Sequence, residues 1–178
     1  MSGQQSSWTV TVIRIVDGDT VEVRFDDGHT ENVRLLGVDT PEVRAENDPS
    51  EFEGVPDTDD GREWLRDWGH RASEFARAEL SGETVRIATD DEADRRGSYG
   101  RLLVYLTHDG DEFNEQLLRQ GYARMYDSSF SKRATYSSLE ADAQGGDVGL
   151  WGFEGSGSSE RTPTPTRTPV PDGGGDRP

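Results

Sequence analysis

The sequence predicts an α+β, mainly β fold: a five-stranded antiparallel barrel of the OB type carrying three helices. Three observations predict it. Short β-branched runs separated by turn residues fill the first forty positions; one amphipathic helix follows; two more strand-like runs then precede two helical stretches. The order β-β-β-α-β-β-α-α sets a helix between the third and fourth strands, where an OB barrel carries one.

Residues 8–16 (WTVTVIRIV) are β-branched, and the tetrad Asp17-Gly18-Asp19-Thr20 interrupts them. Val21, Val23 and Phe25 then alternate with Glu22 and Arg24, the period of a half-buried strand. Asp26-Asp27-Gly28 reads as a hairpin turn, and Thr30 to Val38 as a third strand ended by Asp39-Thr40-Pro41. Residues 43–61 hold seven acids, one arginine and two prolines, the composition of a solvated loop or insertion with little to bury. From Arg62 the spacing becomes helical, with Trp64, Trp68, Ala72, Phe75 and Ala76 on one face, and Ser81-Gly82 stops it. Glu83 to Thr89 and Arg101 to Leu106 are the fourth and fifth strands, joined by a polar loop. A second helix starts near Asp111 and stops at Gly121; a third spans roughly Tyr136 to Gln144; Leu150-Trp151 closes the folded part.

Leu, Ile, Val and Phe total 33 of 178 residues, below the roughly 20% that with high net charge marks an unfolded chain. Setting aside 1–7, 43–61 and 152–178 leaves 125 residues with 28 of those 33, about 22%. The expected organisation is therefore a disordered N-terminus over 1–7, one domain over 8–152, and a Pro/Thr/Gly-rich disordered tail over 153–178. With no cysteine, the chain has no disulfide framework, thiolate zinc site or cysteine nucleophile. No apolar run approaches the roughly 20 residues of a membrane span. The polar start, without a signal peptide, points to the cytoplasm, with secretion as the alternative. A monomer without membrane association is expected.

Net charge is −17, and 18 of the 19 cations are arginine, Lys132 being the one lysine. An acidic surface stripped of lysine stays hydrated where salt screens repulsion, so the composition reads as halophilic. Net charge alone argues against a nucleic-acid ligand.

Chemistry-bearing residues fall in four places: Asp19 after the first strand, Arg34 on the third, Asp39 to Glu42 at its end, and Arg101 opening the fifth. Asp17-x-Asp19 fails as an EF-hand, because Val21 and Gly28 occupy its third and twelfth ligand positions. His29, His70 and His108 are isolated. Two carboxylates without histidine or sulfur suit a hard cation, two arginines offer forks for a phosphate, and a further carboxylate could activate water. Each of these also has an ordinary structural reading: a turn, a cap, or a buried ion pair for the arginine that interrupts Val33-Leu35-Leu36. Spacing leaves both open.

Val16-Asp17-Gly18-Asp19-Thr20-Val21, Val33-Arg34-Leu35-Leu36-Gly37-Val38-Asp39-Thr40-Pro41-Glu42 and Tyr99-Gly100-Arg101 resemble the three active-site segments of the staphylococcal nuclease (thermonuclease) family. Phe113-Asn114-Glu115, Leu118 to Ala123 and Gly149-Leu150-Trp151 are similar to its second helix and its end. The resemblance runs from Trp8 to Trp151. It implies a calcium-dependent (Ca2+) phosphodiesterase acting on DNA and RNA, endo- or exonucleolytic, that leaves 3′-phosphate and 5′-hydroxyl ends. It implies Asp19, Asp39 and the Thr40 carbonyl as metal ligands, Glu42 as base, Arg34 and Arg101 as phosphate clamps, and Tyr99 and Tyr126 at the nucleotide, with the pattern slipped by one residue at Tyr126. The 43–61 insertion and Ser98, where a lysine is often found, depart from it. A noncatalytic nucleic-acid-binding module of the same barrel is the alternative, and an unrelated interaction or sugar-binding barrel a third.

Overall fold

A computed structural model describes residues 6–97 and 99–153. The parts of the expected tails at 1–5 and 154–178, and Ser98, lie outside the described residues. The strands are β1 (Ser7–Asp17), β2 (Thr20–Arg24), β3 (Thr30–Leu35), β4 (Val38–Asp39), β5 (Thr84–Ala88), β6 (Leu102–His108), β7 (Asp111–Glu112) and β8 (Arg124–Met125). The helices are α1 (Asp59–Leu80), α2 (Phe113–Arg119) and α3 (Arg133–Gly145).

The main sheet runs β3-β2-β1-β5-β6-β7, and β3 also pairs with β6, which closes five strands into a barrel. That closing pair is parallel, with Val33, Arg34 and Leu35 opposite Leu102, Leu103 and Val104. The expectation of a purely antiparallel barrel is therefore corrected to a mixed one, for a reason of parity. Four antiparallel neighbours in a ring of five strands leave the first and last running the same way. Two short strands, β4 and β8, form a separate antiparallel ribbon with Val38 opposite Met125 and Asp39 opposite Arg124.

Alternation fixes the core. Val10, Val12, Val21, Val23, Val33, Leu35, Val85, Ile87, Val104 and Leu106 point inward, and Phe113, Leu117, Leu118 and Tyr136 cover them from α2 and α3. Asn114 on α2 is fully buried and saturates its amide: its Oδ1 accepts from Leu106 N, and its Nδ2 donates to Leu36 O and Val104 O. This ties the turn after β3 to β6 at the end of their parallel ladder, where Leu36 N also donates to Val104 O.

α1 begins three residues before the expected Arg62, because the Thr58 side chain accepts from Gly61 N and Asp59 and Asp60 favour the helix N-terminus. The 43–61 segment is not simply solvated. Phe52 and Val55 are buried against Leu65, Ala143, Leu150 and Trp151 in a second hydrophobic cluster. Few apolar residues suffice, since α1 and the closing turn at Gly149–Gly152 already present an apolar wall.

α1 lies against the segments that carry the candidate chemistry. A Cβ at Gly69 would stand 2.6 Å from Pro41 O, and one at Gly18 would stand 2.6 Å from Ala72 Cβ. Glycine on each side lets the helix touch the Asp17–Thr20 turn and the Pro41-Glu42 backbone directly.

Candidate active site

β3 delivers Arg34 and the two-residue β4 delivers Asp39, while the turn between β1 and β2 delivers Asp19. Arg34 joins them. Its Nη1 donates to Val38 O at 2.9 Å and lies 3.4 Å from Asp19 Oδ2, and its Nη2 donates to Asp39 Oδ1 at 3.2 Å. All three side chains are at most 16% exposed, so screening by solvent is weak and a lone charge there would be costly. Asp19 is fixed further by Thr40 N, which donates to Oδ2 at 3.0 Å, and by the Thr20 hydroxyl.

Arg101 stands across from this network on the parallel partner side, its Nη1 3.3 Å from Thr20 Oγ1. Arg34, Arg101 and Glu42 line one open cavity of about 610 Å³ together with Tyr99 and Tyr126. The Arg101 guanidinium lies 5.4 Å from the Tyr99 ring centre and that of Arg34 5.7 Å from the Tyr126 ring centre. Tyr99 is 83% exposed, an aromatic face held over a cation and open to solvent. Among the described residues, Asp19, Asp39 and Thr40 do not line this cavity and connect to it through Arg34. All eight residues singled out in the sequence thus belong to one neighbourhood.

Carboxylates crowd it. Burial pushes the Asp39 carboxyl up and Asp19 pushes it further, against the pull of Arg34 and Arg124. Glu42 is raised in the same direction by partial burial, Asp19, Asp39 and Asp17, although its side chain still reaches solvent and the effect is screened. Its backbone is clamped: Asn47 Oδ1 accepts from Glu42 N at 2.7 Å, and Asn47 Nδ2 donates to Glu42 O at 3.0 Å.

Two further arrangements were not found by reading the sequence. Asn47 sits in what looked like an acidic loop. Arg124 forks onto Asp39 Oδ2 through Nε at 3.1 Å and Nη2 at 2.9 Å. A signal existed for Arg124, since it interrupts Ala123 and Met125 much as Arg34 interrupts its own apolar run.

The model of the family described as staphylococcal nuclease homologue matches residues 32–152. The chain belongs to the staphylococcal nuclease homologue family. It is 42% identical over 149 residues to an uncharacterised protein of Methanocaldococcus jannaschii, covering 80% of this chain and 70% of that one. It is 32% identical over 145 residues to the thermonuclease of Staphylococcus hyicus, covering 80% of this chain and 75% of that enzyme. The SPbeta prophage-derived endonuclease YokF of Bacillus subtilis is 30% identical over 149 residues, 82% of this chain and 45% of the relative.

The chemistry of the donor set bears on a metal. Among the described residues no group of three or more His, Asp and Glu side chains is gathered for one. Asp19 and Asp39 nevertheless turn one oxygen each toward the same guanidinium, which makes two hard anionic donors, and the residues singled out around them include no histidine or sulfur ligand. Such a pair fits a hard cation that fills its remaining positions with carbonyl oxygen, water and substrate. Among the described residues, no helix of this family member is long and apolar enough to cross a membrane.

Proposed function

We propose that the chain is a calcium-dependent nuclease that hydrolyses DNA and RNA phosphodiesters to 3′-phosphate and 5′-hydroxyl ends. One observation carries the reading. A cation-clamp pair, Arg34 and Arg101, faces the same cavity as Glu42 and two aromatic rings, with the Asp19–Asp39 pair bonded to the inner arginine. The thermonuclease and endonuclease names of its relatives support it.

Asp19, Asp39 and the Thr40 carbonyl would hold calcium, which when bound supplies positive charge that eases approach of a nucleophile to an anionic phosphate. Glu42, its backbone held by Asn47, takes a proton from a water in line with phosphorus. Arg34 and Arg101 donate to the non-bridging oxygens, and their charge stabilises the pentacoordinate state in which negative charge grows. The fork geometry matters as much as the charge, because a planar guanidinium meets two phosphate oxygens at once. Tyr99 and Tyr126 offer ring faces to the sugar and base, a contact every base can make. As the water oxygen bonds to phosphorus the bond from phosphorus to the 5′-oxygen breaks, and that oxygen takes a proton from solvent. The acidic, lysine-poor surface supports work at raised salt, where repulsion between protein and substrate is screened.

The deciding measurement is cleavage of plasmid DNA and of an RNA transcript with calcium and with a chelator, followed by phosphatase-sensitive end labelling. Calcium-dependent products with 3′-phosphates are expected. Binding of both nucleic acids with no cleavage at any calcium concentration would leave the noncatalytic reading instead.

A further inference from the structure

Arg124 has no role in the mechanism above, yet it is tied directly to Asp39 of the site, as Arg34 is. β8 sets it directly opposite Asp39 in the two-stranded ribbon. Its fork places two N–H groups on a single oxygen, Asp39 Oδ2, while Oδ1 meets Nη2 of Arg34, whose Nη1 lies 3.4 Å from Asp19 Oδ2. The guanidinium is fixed from behind. Glu51 Oε1 lies 3.4 Å from Nη2, and the Phe52 and Tyr126 rings stand 5.5 and 5.7 Å from its central carbon. Only 16% of the side chain is exposed. Glu51 and Phe52 both belong to the 43–61 segment, so that segment is joined to Asp39 through one arginine.

We propose that Arg124 is a positioning residue: it holds Asp39 by Oδ2 and thereby keeps Oδ1 directed toward Asp19, where a cation would need it. The proposal rests on the calcium reading above. Hydrogen-bonded partners of ligand side chains fix ligand orientation, and removing them typically costs about 10–100-fold in metal affinity. A purely electrostatic role predicts the opposite sign, since Arg124 is a positive charge beside a cation site and its loss would tighten binding.

The test is calcium titration by calorimetry on the full chain without nucleic acid, comparing wild type, Arg124→Lys and Arg124→Gln, each checked for native far-UV circular dichroism. Positioning predicts weaker calcium binding in both variants, by roughly tenfold or more. The lysine fails to rescue because one ammonium cannot hold an oxygen as a planar fork does. If the glutamine variant does not fold, the lysine variant, which keeps the charge, decides alone. Lysine binding calcium as tightly as wild type, or glutamine binding it more tightly, overturns the positioning role and leaves the calcium reading intact. A wild-type protein that takes up no calcium overturns the calcium reading, and the positioning role with it.

Discussion

Asp39, half-buried, and Asp90, buried, are both aspartates at strand ends, and their environments treat the charge in opposite ways. Asp90 follows β5 and collects donors that serve it alone. Its Oδ2 accepts from the Tyr105 hydroxyl, from Ser131 N at 2.8 Å and from Ser131 Oγ at 2.6 Å, and its Oδ1 accepts from Glu92 N at 2.8 Å. Burial pushes its carboxyl up, but these hydrogen bonds outweigh that and hold it below the ordinary aspartate range. Asp39 has two full arginine charges on it and is nevertheless raised, by burial and then by Asp19. Its arginines are shared, Arg34 with Asp19 and Arg124 with Glu51. Dedicated neutral donors settle a buried carboxylate; shared cations in a crowd of acids leave it poised. Perturbation of that kind gathers at functional sites, and a satisfied carboxylate such as Asp90 is a structural tie between the loop after β5 and the turn before α3.

The largest break in this comparison is on the poised side. Glu42→Gln should lower kcat by about 10²–10⁴-fold, the usual worth of a general base, while DNA binding persists. Single-turnover cleavage with separately measured binding checks it. Unchanged kcat would take Glu42 out of the chemistry.

On the tied side the effect should be on folding. Asp90→Asn leaves one amide oxygen for the Tyr105 and Ser131 donors, which already share Oδ2, but puts an NH2 in place of Oδ1 that cannot accept from Glu92 N, and a donor left without an acceptor costs about 1–3 kcal/mol. Urea unfolding should show that loss, with turnover of the folded fraction falling far less than in Glu42→Gln. A loss of turnover as deep as that of Glu42→Gln would erase the distinction between the two regions.

The sequence made the barrel legible because period-two alternation at Val21, Val23 and Phe25 and turn chemistry at Asp26-Asp27-Gly28 are local signals. It made Arg34 legible because a charge inside Val33-Leu35-Leu36 demands a partner. The parallel β3–β6 closure departs from the antiparallel expectation, although a closed ring of five strands requires one parallel pair. What stayed hidden depends on long separations. Arg124 meets Asp39 across 85 residues, and Asp90 meets Ser131 across 41. Asn47 is only five residues from Glu42, but it lies in a run whose acidity conceals that Phe52 and Val55 anchor it against α1 and the closing turn.

Asn47 therefore offers an intermediate test. Asn47→Ala removes two hydrogen bonds from the Glu42 backbone without touching its carboxylate. Each such bond contributes on the order of 1 kcal/mol net, so stability should fall modestly. If the clamp positions the base, kcat should drop several-fold with KM little changed, and Asn47→Asp, which keeps only the acceptor, should fall between alanine and wild type. A stability loss with unaltered kcat would make Asn47 part of the loop's packing alone.

The smallest effect has the clearest sign. In chelator, thermal unfolding of wild type, Glu42→Gln and Asp90→Asn can be compared from pH 7 downward. Asp90 has a folded pKa below its unfolded one, so its stabilisation is complete above the unfolded value of about 3.9 and is lost as pH falls through the folded value. The deficit of Asp90→Asn should accordingly be widest at neutral pH and close in strong acid. Glu42 has a folded pKa above its unfolded one, raised by partial burial and by Asp19, Asp39 and Asp17. Ionised Glu42 then opposes folding at neutral pH, and the opposition disappears as pH falls through the raised value toward the unfolded one near about 4.3. Glu42→Gln should thus unfold slightly above wild type at pH 7 and match it in acid, so the same substitution that removes turnover strengthens the fold. Because Glu42 is open to solvent the gain should be small, and added salt should shrink it further. A glutamine variant less stable than wild type at pH 7, or a difference that widens as pH falls, would show that the crowd of carboxylates is already balanced by Arg34, Arg101 and Arg124, and that Asp39 is as settled as Asp90.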